Sequence, residues 1–272
     1  MRENSWFFIV ILITFSHLRF LEKIADGPAL LRLLLNTVTV VLYALLYAHT
    51  IIFLFFCLIA SYVAPRAVLF WLMKIWARGI FLILGTRLHV YGAEHIPQRK
   101  RFMILTNHAS LFDIPAIMTL FPNVSWLGRE YLLRIPIWGH MLTRTNYVAI
   151  GKNPAMNIRL IIQKAVLNSE NFLVALFPEG TRTVTGELGD FKRGFIHIMN
   201  GGDLDILPVV MNGLFELKPK NRFYIKPFQK IEIFICEPMH RTALLNLSNK
   251  EIMNHVRDVF ISCHAKHKGN KS

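Results

Sequence analysis

Apolar and polar positions change their period three times along this chain. From Thr37 to Ala64 the sequence runs "TVTVVLYALLYAHTIIFLFFCLIASYVA" with no Asp, Glu, Lys or Arg. That exceeds the roughly 20 apolar residues a membrane-crossing helix needs, and its one titratable interruption, His49, can stay neutral. A buried core helix is the alternative reading. Upstream, "WFFIVILITF" (Trp6–Phe15) is too short to span and meets His17 and Arg19. It reads as a short interfacial segment, with a signal peptide as the alternative; no small-x-small cleavage site follows directly. From Val68 to Gly85 the period becomes helical, with Lys74 and Arg78 four apart on one face beside Trp71, Trp76 and Phe81. That pattern predicts an amphipathic interfacial helix.

After Gly85, short apolar runs alternate with helical stretches. "RLHVYG", "RFMILT", "VSWLG", "FLVALF", "DILPVV" and "KIEIFI" predict strands. Helices are expected near Pro115–Phe121, Leu132–Thr143, Pro154–Asn168 and Lys192–Gly201, and again over Ser248–Lys266 before the basic tail "KHKGNKS". Strand and helix in alternation imply an α/β fold around a mixed, largely parallel sheet flanked by helices. Continuously apolar strands such as "FLVALF" fit a sheet covered on both faces. The expected organisation is a membrane-anchoring region over 1–84, a catalytic domain over 85–240, and a C-terminal helix with basic tail over 241–272.

Composition sharpens the membrane reading. The 272 residues are 53% hydrophobic, yet carry a net charge of +14, and the mean hydropathy is +0.39. An apolar and basic protein suits an anionic bilayer surface, where each Lys or Arg contributes about 1 kcal/mol. Nucleic-acid binding through "KPKNRFYIKPFQK" competes, but that stretch also fits a solvated rim touching lipid headgroups, and no nucleic-acid partner is expected. Arg66, Lys74 and Arg78 come soon after the long apolar segment, which places the remainder of the chain on the cytoplasmic face of the membrane. Cys57, Cys236 and Cys263 have no paired spacing and read as separate thiols rather than a disulfide or zinc framework.

The chemistry concentrates in "TNHASLFDIP" (Thr106–Pro115). On a regular helix His108 and Asp113 would point about 140° apart, so they meet only if the chain between them turns. A strand ends at Thr106 and Pro115 suits the first turn of a helix, which allows that turn. An aspartate bound to one ring nitrogen leaves the other free as a general base. Ser110 offers a serine nucleophile instead, without the G-x-S-x-G elbow. No second ligand stands at metal spacing. "LFPEGTR" (Leu176–Arg182) supplies a glycine turn and, in Arg182, a planar fork suited to phosphate. Lys192 and Arg193 could join it, and a simple Glu179–Arg182 turn salt bridge is the alternative. "LGREYLLRIPIWGHML" (Leu127–Leu142) is basic and aromatic, and "ILPVVMNG" (Ile206–Gly213) is a buried strand ending in glycine.

These four blocks in this order, from about Arg87 to Met239, resemble the lysophosphatidic acid acyltransferase family, the PlsC-like 1-acyl-sn-glycerol-3-phosphate acyltransferases. The resemblance implies a glycerolipid acyltransferase fold whose N-terminal helices anchor it to the bilayer without needing to span. It implies His108 as general base and Asp113 as its orienter. It places Asn107, Arg129, Glu179, Gly180, Thr181 and Arg182 at the acceptor, with Arg182 on the phosphate, and matches Pro208 to the proline of the fourth motif. The implied reaction makes phosphatidic acid from a lysophospholipid acceptor, with acyl-CoA or acyl carrier protein as donor and no cofactor. Glycerol 3-phosphate or another lysophospholipid is the alternative acceptor, and a catalytically silent lipid binder the alternative function. One departure is "NYVAIGKN", where Lys152 stands in place of the family's arginine.

Overall fold

The computed structural model describes residues 29–98, 101–151 and 154–268. The Trp6–Phe15 segment and Lys152 lie outside the described residues. Seven strands form one sheet: β1 (Arg87–Tyr91), β2 (Phe102–Thr106), β3 (Val124–Arg129), β4 (Val148–Ile150), β5 (Leu173–Leu176), β6 (Asp205–Asn212) and β7 (Lys230–Ile235). Their spatial order is β1-β7-β6-β2-β5-β3-β4. All pairings are parallel except β6 with β7. The fold class is therefore the one the sequence predicts, with β4 added.

The helices are α1 (Ala29–Val63), α2 (Arg66–Ile83), α3 (Asp113–Met118), α4 (Trp138–Arg144), α5 (Pro154–Ser169), α6 (Gly194–Gly202), α7 (Leu214–Leu217), α8 (Arg241–Leu244) and α9 (Asn249–Lys268). The helix expected over Leu132–Thr143 is instead a 3-10 turn, Glu130–Arg134, and α4. Pro136 disfavours a helical residue before it, and Ile137 takes a positive φ of 61°.

Every residue of β2 and β5 is buried, and successive side chains feed opposite cores. Phe102, Ile104, Leu173, Ala175, Leu207 and Val209 pack with Ala116 and Ile117 of α3. Leu42, Leu46, Ile80 and Phe81 of α1 and α2 join that cluster. Met103, Leu105, Val174 and Ile206 pack on the other face with α6 and with Ile252, Val256 and Phe260 of α9. Both flanking regions thus complete the cores of the sheet. Cys236, just past β7, and Cys263 of α9 are bonded to each other. This corrects their reading as separate thiols; their sequence separation of 27 gave no local sign of the pairing.

The apolar helix is not a core helix. Within Leu33–Val63 the most apolar stretch has a mean hydropathy of 2.3, and only 11% of it is buried. One stripe faces the domain and the opposite side exposes Val41, Leu45, Ile52, Phe55, Phe56 and Ile59. The domain holds it near both ends. Ile225 N–H donates to Thr39 Oγ1 at 3.1 Å, and Tyr43 O–H to Phe223 O at 3.3 Å. Trp76 Nε1–H donates to Thr50 Oγ1 at 3.2 Å, and Tyr62 stacks on His140 with ring centres 5.6 Å apart. Phe223 and Ile225 belong to the loop after β6, and His140 follows β3. The helix therefore runs across the carboxyl ends of the strands.

Candidate active site

β2 lies between β5 and β6, where successive connections leave in opposite directions. The chain after β2 returns through α3 towards β3, whereas after β5 it crosses through α6 to β6. In open α/β sheets the crevice at such a reversal, outside the carboxyl ends, is where ligands bind.

Asn107 ends β2 with its side chain. Its amide donates to Met211 O at 2.9 Å and its carbonyl accepts from Met211 N–H at 2.8 Å. The side chain thereby continues the ladder to β6 while the backbone turns away. The turn closes around Asp113, the fully buried first residue of α3. Its Oδ2 accepts from His108 Nδ1 at 2.7 Å, Ala109 N–H at 2.7 Å and Ser110 N–H at 2.8 Å. Burial pushes the Asp113 carboxyl above its ordinary value, against the pull of the His108 hydrogen bond and charge and of the two amides.

Phe177 fixes the other degree of freedom of the imidazole. Its ring stacks on His108 with centres 3.7 Å apart and planes at 12°, and it stacks in turn on Trp126 at 5.4 Å. His108 Nδ1 is held by a carboxylate oxygen and the ring face by an aromatic, and its side chain remains 19% exposed. Nε2 is the nitrogen left for chemistry.

The "FPEGTR" loop after β5 is tied to this turn. Gly180, at φ 71°, closes a tight turn in which its N–H donates to Phe177 O at 3.0 Å. Glu179 is buried; its Oε1 accepts from His108 N–H at 2.7 Å and its Oε2 from Gly189 N–H at 2.8 Å. A Cβ at position 189 would stand 2.9 Å from that Oε2, so the close approach needs glycine. Burial raises the Glu179 carboxyl pKa, opposed by these two amides. Thr183 N–H donates to His108 O at 2.8 Å.

Several expectations change in this geometry. The Glu179–Arg182 salt bridge does not form: Glu179 spends both oxygens on backbone amides, and Arg182 makes no ion pair among the described residues. Asn107 and Glu179, expected to touch the acceptor, spend their polar atoms on shaping the loops instead. Thr181 and Arg129 are exposed and Arg182 is half-buried, and none of the three has a side-chain hydrogen bond to His108 or Asp113. Ser110 is fully buried and donates its Oγ–H to Lys218 O at 2.7 Å, which removes it as a nucleophile partnered by His108. The rim reading of "KPKNRFYIKPFQK" fails at Lys218, which is buried, and at Arg222, whose guanidinium donates to the carbonyls of Glu216, Leu217 and Tyr224. Phe177 as a ring support, Thr183 and Gly189 were not singled out by spacing. Among the described residues no three His, Cys, Asp or Glu side chains converge as a metal site.

Residues 87–212 match the family described as Acyltransferase. A 1-acyl-sn-glycerol-3-phosphate acyltransferase from Cocos nucifera is 34% identical over 154 residues, covering 55% of this chain and 49% of that protein. One from Pseudomonas aeruginosa is 28% identical over 187 residues, covering 64% of this chain and 70% of that protein. The chain spans about half the length of the first plant relatives it matches, 49% and 53%. The crystal structure of PlsC, the 1-acyl-sn-glycerophosphate acyltransferase from Thermotoga maritima, superposes with a TM-score of 0.74. That likeness covers 86% of this chain and 98% of the other at 23% identity, and shows the shared fold.

Proposed function

We propose that this chain, whose residues 87–212 match the Acyltransferase family, transfers a fatty acyl group from a thioester to the free hydroxyl of 1-acyl-sn-glycerol 3-phosphate, giving phosphatidic acid. The observation that carries the reading is the 2.7 Å contact of His108 Nδ1 with the buried Asp113, on a ring held by Phe177. Nε2 takes the acceptor's hydroxyl proton as that oxygen attacks the thioester carbonyl. The tetrahedral intermediate collapses, the carbon–sulfur bond breaks, and the leaving thiolate recovers the proton from the imidazolium. Asp113 holds the tautomer and offsets the imidazolium charge, and the oriented pair supplies the general-base share of the acceleration. Ser110, whose hydroxyl is already donated to Lys218, supports direct transfer without a covalent acyl-enzyme. Arg182 and Arg129 are the guanidinium forks suited to the acceptor's phosphate. Fixing the phosphate before chemistry makes the attack effectively unimolecular.

The same reading places the enzyme at a membrane. The exposed apolar side of α1 enters one leaflet, and the domain packed along its other side stays at the surface on the cytoplasmic face. The site edge then meets the lipid surface, where a lysolipid acceptor resides. Either acyl-CoA or acyl carrier protein supplies the thioester from the aqueous side. Incubating the purified chain with lysophosphatidate, lysophosphatidylcholine, lysophosphatidylglycerol and glycerol 3-phosphate, against each donor with labelled acyl chains, tests the reading. Labelled phosphatidate as the main product is expected. Acylation of a different acceptor in preference, or of none, would overturn it.

A further inference from the structure

Lys218 carries a buried charge that the proposed reaction does not use. It follows α7 and is only 7% exposed. Its carbonyl receives the Ser110 hydroxyl, which fixes its backbone against the loop that holds His108 and Asp113. Its ammonium donates to Pro219 O at 3.0 Å and to Arg222 O. An ammonium has three donors, so one remains.

The charges around it are of the wrong sign to balance it. Lys218 makes no ion pair among the described residues. The charged groups that act on it are Arg222 and Arg182, and together with burial they push its amine below the ordinary lysine value. Arg222 is turned into its own loop, donating to three carbonyls. Arg182 has no carboxylate partner among the described residues, and its loop is pinned to the catalytic turn through Thr183 N–H on His108 O. Two cations thus flank the His108 turn from separate loops, each loop tied to it by a hydrogen bond, and no described carboxylate pairs with either. Burying an ammonium among cations is unfavourable until an anion arrives.

We infer that Lys218 and Arg182 form a two-cation seat for the phosphate monoester of the acceptor, and that Lys218 makes the enzyme selective for monoesters over phosphodiester lysolipids. A monoester brings a charge of about −1.5 to −2 at neutral pH, whereas a diester brings one negative charge and covers an oxygen with its headgroup. Arg182 supplies the fork and Lys218 the point charge. The inference rests on the acyltransferase reading and specifies which acceptors fit.

The test uses the full chain in mixed micelles. Lys218→Met removes the charge and keeps a stem of similar length; Lys218→Arg keeps the charge. The KM for lysophosphatidate is measured at saturating acyl donor and the KM for the donor at saturating lysophosphatidate, alongside rates on lysophosphatidylcholine and a melting curve. Lys218→Met should raise the lysophosphatidate KM about 10- to 100-fold, the usual range for losing a hydrogen bond between charged groups. The donor KM should stay within about twofold, the margin over lysophosphatidylcholine should shrink, and Lys218→Arg should recover part of the loss. An unmoved acceptor KM, or equal damage to both substrates with a lowered melting temperature, would overturn the seat and make Lys218 a loop strut. If Lys218→Met does not fold, the wild-type protein decides: short-chain lysophosphatidate must raise its melting temperature more than short-chain lysophosphatidylcholine does, and an equal rise sinks the proposal. A wild type that acylates no lysophosphatidate removes the parent reading; one that does, with the acceptor KM of Lys218→Met unmoved, removes only the seat.

Discussion

Asp113→Asn separates the charge of the orienting residue from its shape. Three N–H groups converge on Oδ2, at 2.7, 2.7 and 2.8 Å, while Oδ1 is buried with no donor among the described residues. An asparagine can place its carbonyl where Oδ2 stands and keep the three bonds. It then loses charge assistance and buries an amide without a partner, at a cost of about 1–3 kcal/mol. Relief from burying a carboxylate offsets part of that, so the net loss of stability should be about 1–2 kcal/mol, a small shift in the thermal midpoint. The effect on rate should be far larger. Without the carboxylate the imidazolium formed in the transition state has no counter-charge, and the opposite amide orientation would favour the wrong tautomer. The kcat should fall about 10²–10⁴-fold while the KM of either substrate moves little. Steady-state kinetics with both substrates varied, paired with a circular-dichroism melt, measures this. A folded Asp113→Asn protein with kcat within about tenfold of wild type would refute the role given to the pair.

Glu179→Gln should leave one of the His108 and Gly189 amides without its carboxylate oxygen and lower stability by about 1–3 kcal/mol in denaturant titrations. Because burial raises the folded-state pKa of Glu179, the folded chain holds that proton more tightly than the unfolded one. The wild-type advantage over Glu179→Gln should therefore narrow as pH rises above about 4.3 towards the folded-state value, and a widening gap would contradict the assignment. Replacing the exposed Ile51, Ile52, Phe55 and Phe56 together with Gln should release the protein from anionic vesicles in co-sedimentation without changing its melting temperature, because these side chains face away from the domain. Unchanged pelleting would show that another surface holds the membrane.

The sheet was legible because its central strands are apolar at every position and end at turn residues, as in "FMILT" and "FLVALF". β4, with only Val148 to Ile150, is too short to show a period. The break between Arg134 and Trp138 was signalled by Pro136, but the positive φ of Ile137 was not. At the site, H-x4-D at a strand end pointed to a turn, and the turn forms. The direction of a side chain was harder to read. Glu179 and Arg182 are close in sequence, which suggested a pair, yet Glu179 points inward to the backbone amides of the distant His108 and of Gly189, ten residues on in its own loop. Lys218 and Arg222 stand in a basic, aromatic stretch whose composition implies solvent, yet Lys218 is buried with its carbonyl on Ser110, and Arg222 folds back on the loop's own carbonyls. The Cys236–Cys263 bond joins a strand end to the last helix, a long-range contact that spacing does not encode.

His108 is the residue on which the proposed chemistry turns. Purified wild type and His108→Ala, matched for folding by circular dichroism, would be given saturating lysophosphatidate and labelled acyl donor, and labelled phosphatidate followed over time. A loss of about 10²–10⁴-fold in the rate of phosphatidate formation is expected, with the melting temperature nearly unchanged, since the ring caps the site rather than filling a core. Phosphatidate formed by His108→Ala at close to the wild-type rate would contradict the mechanism.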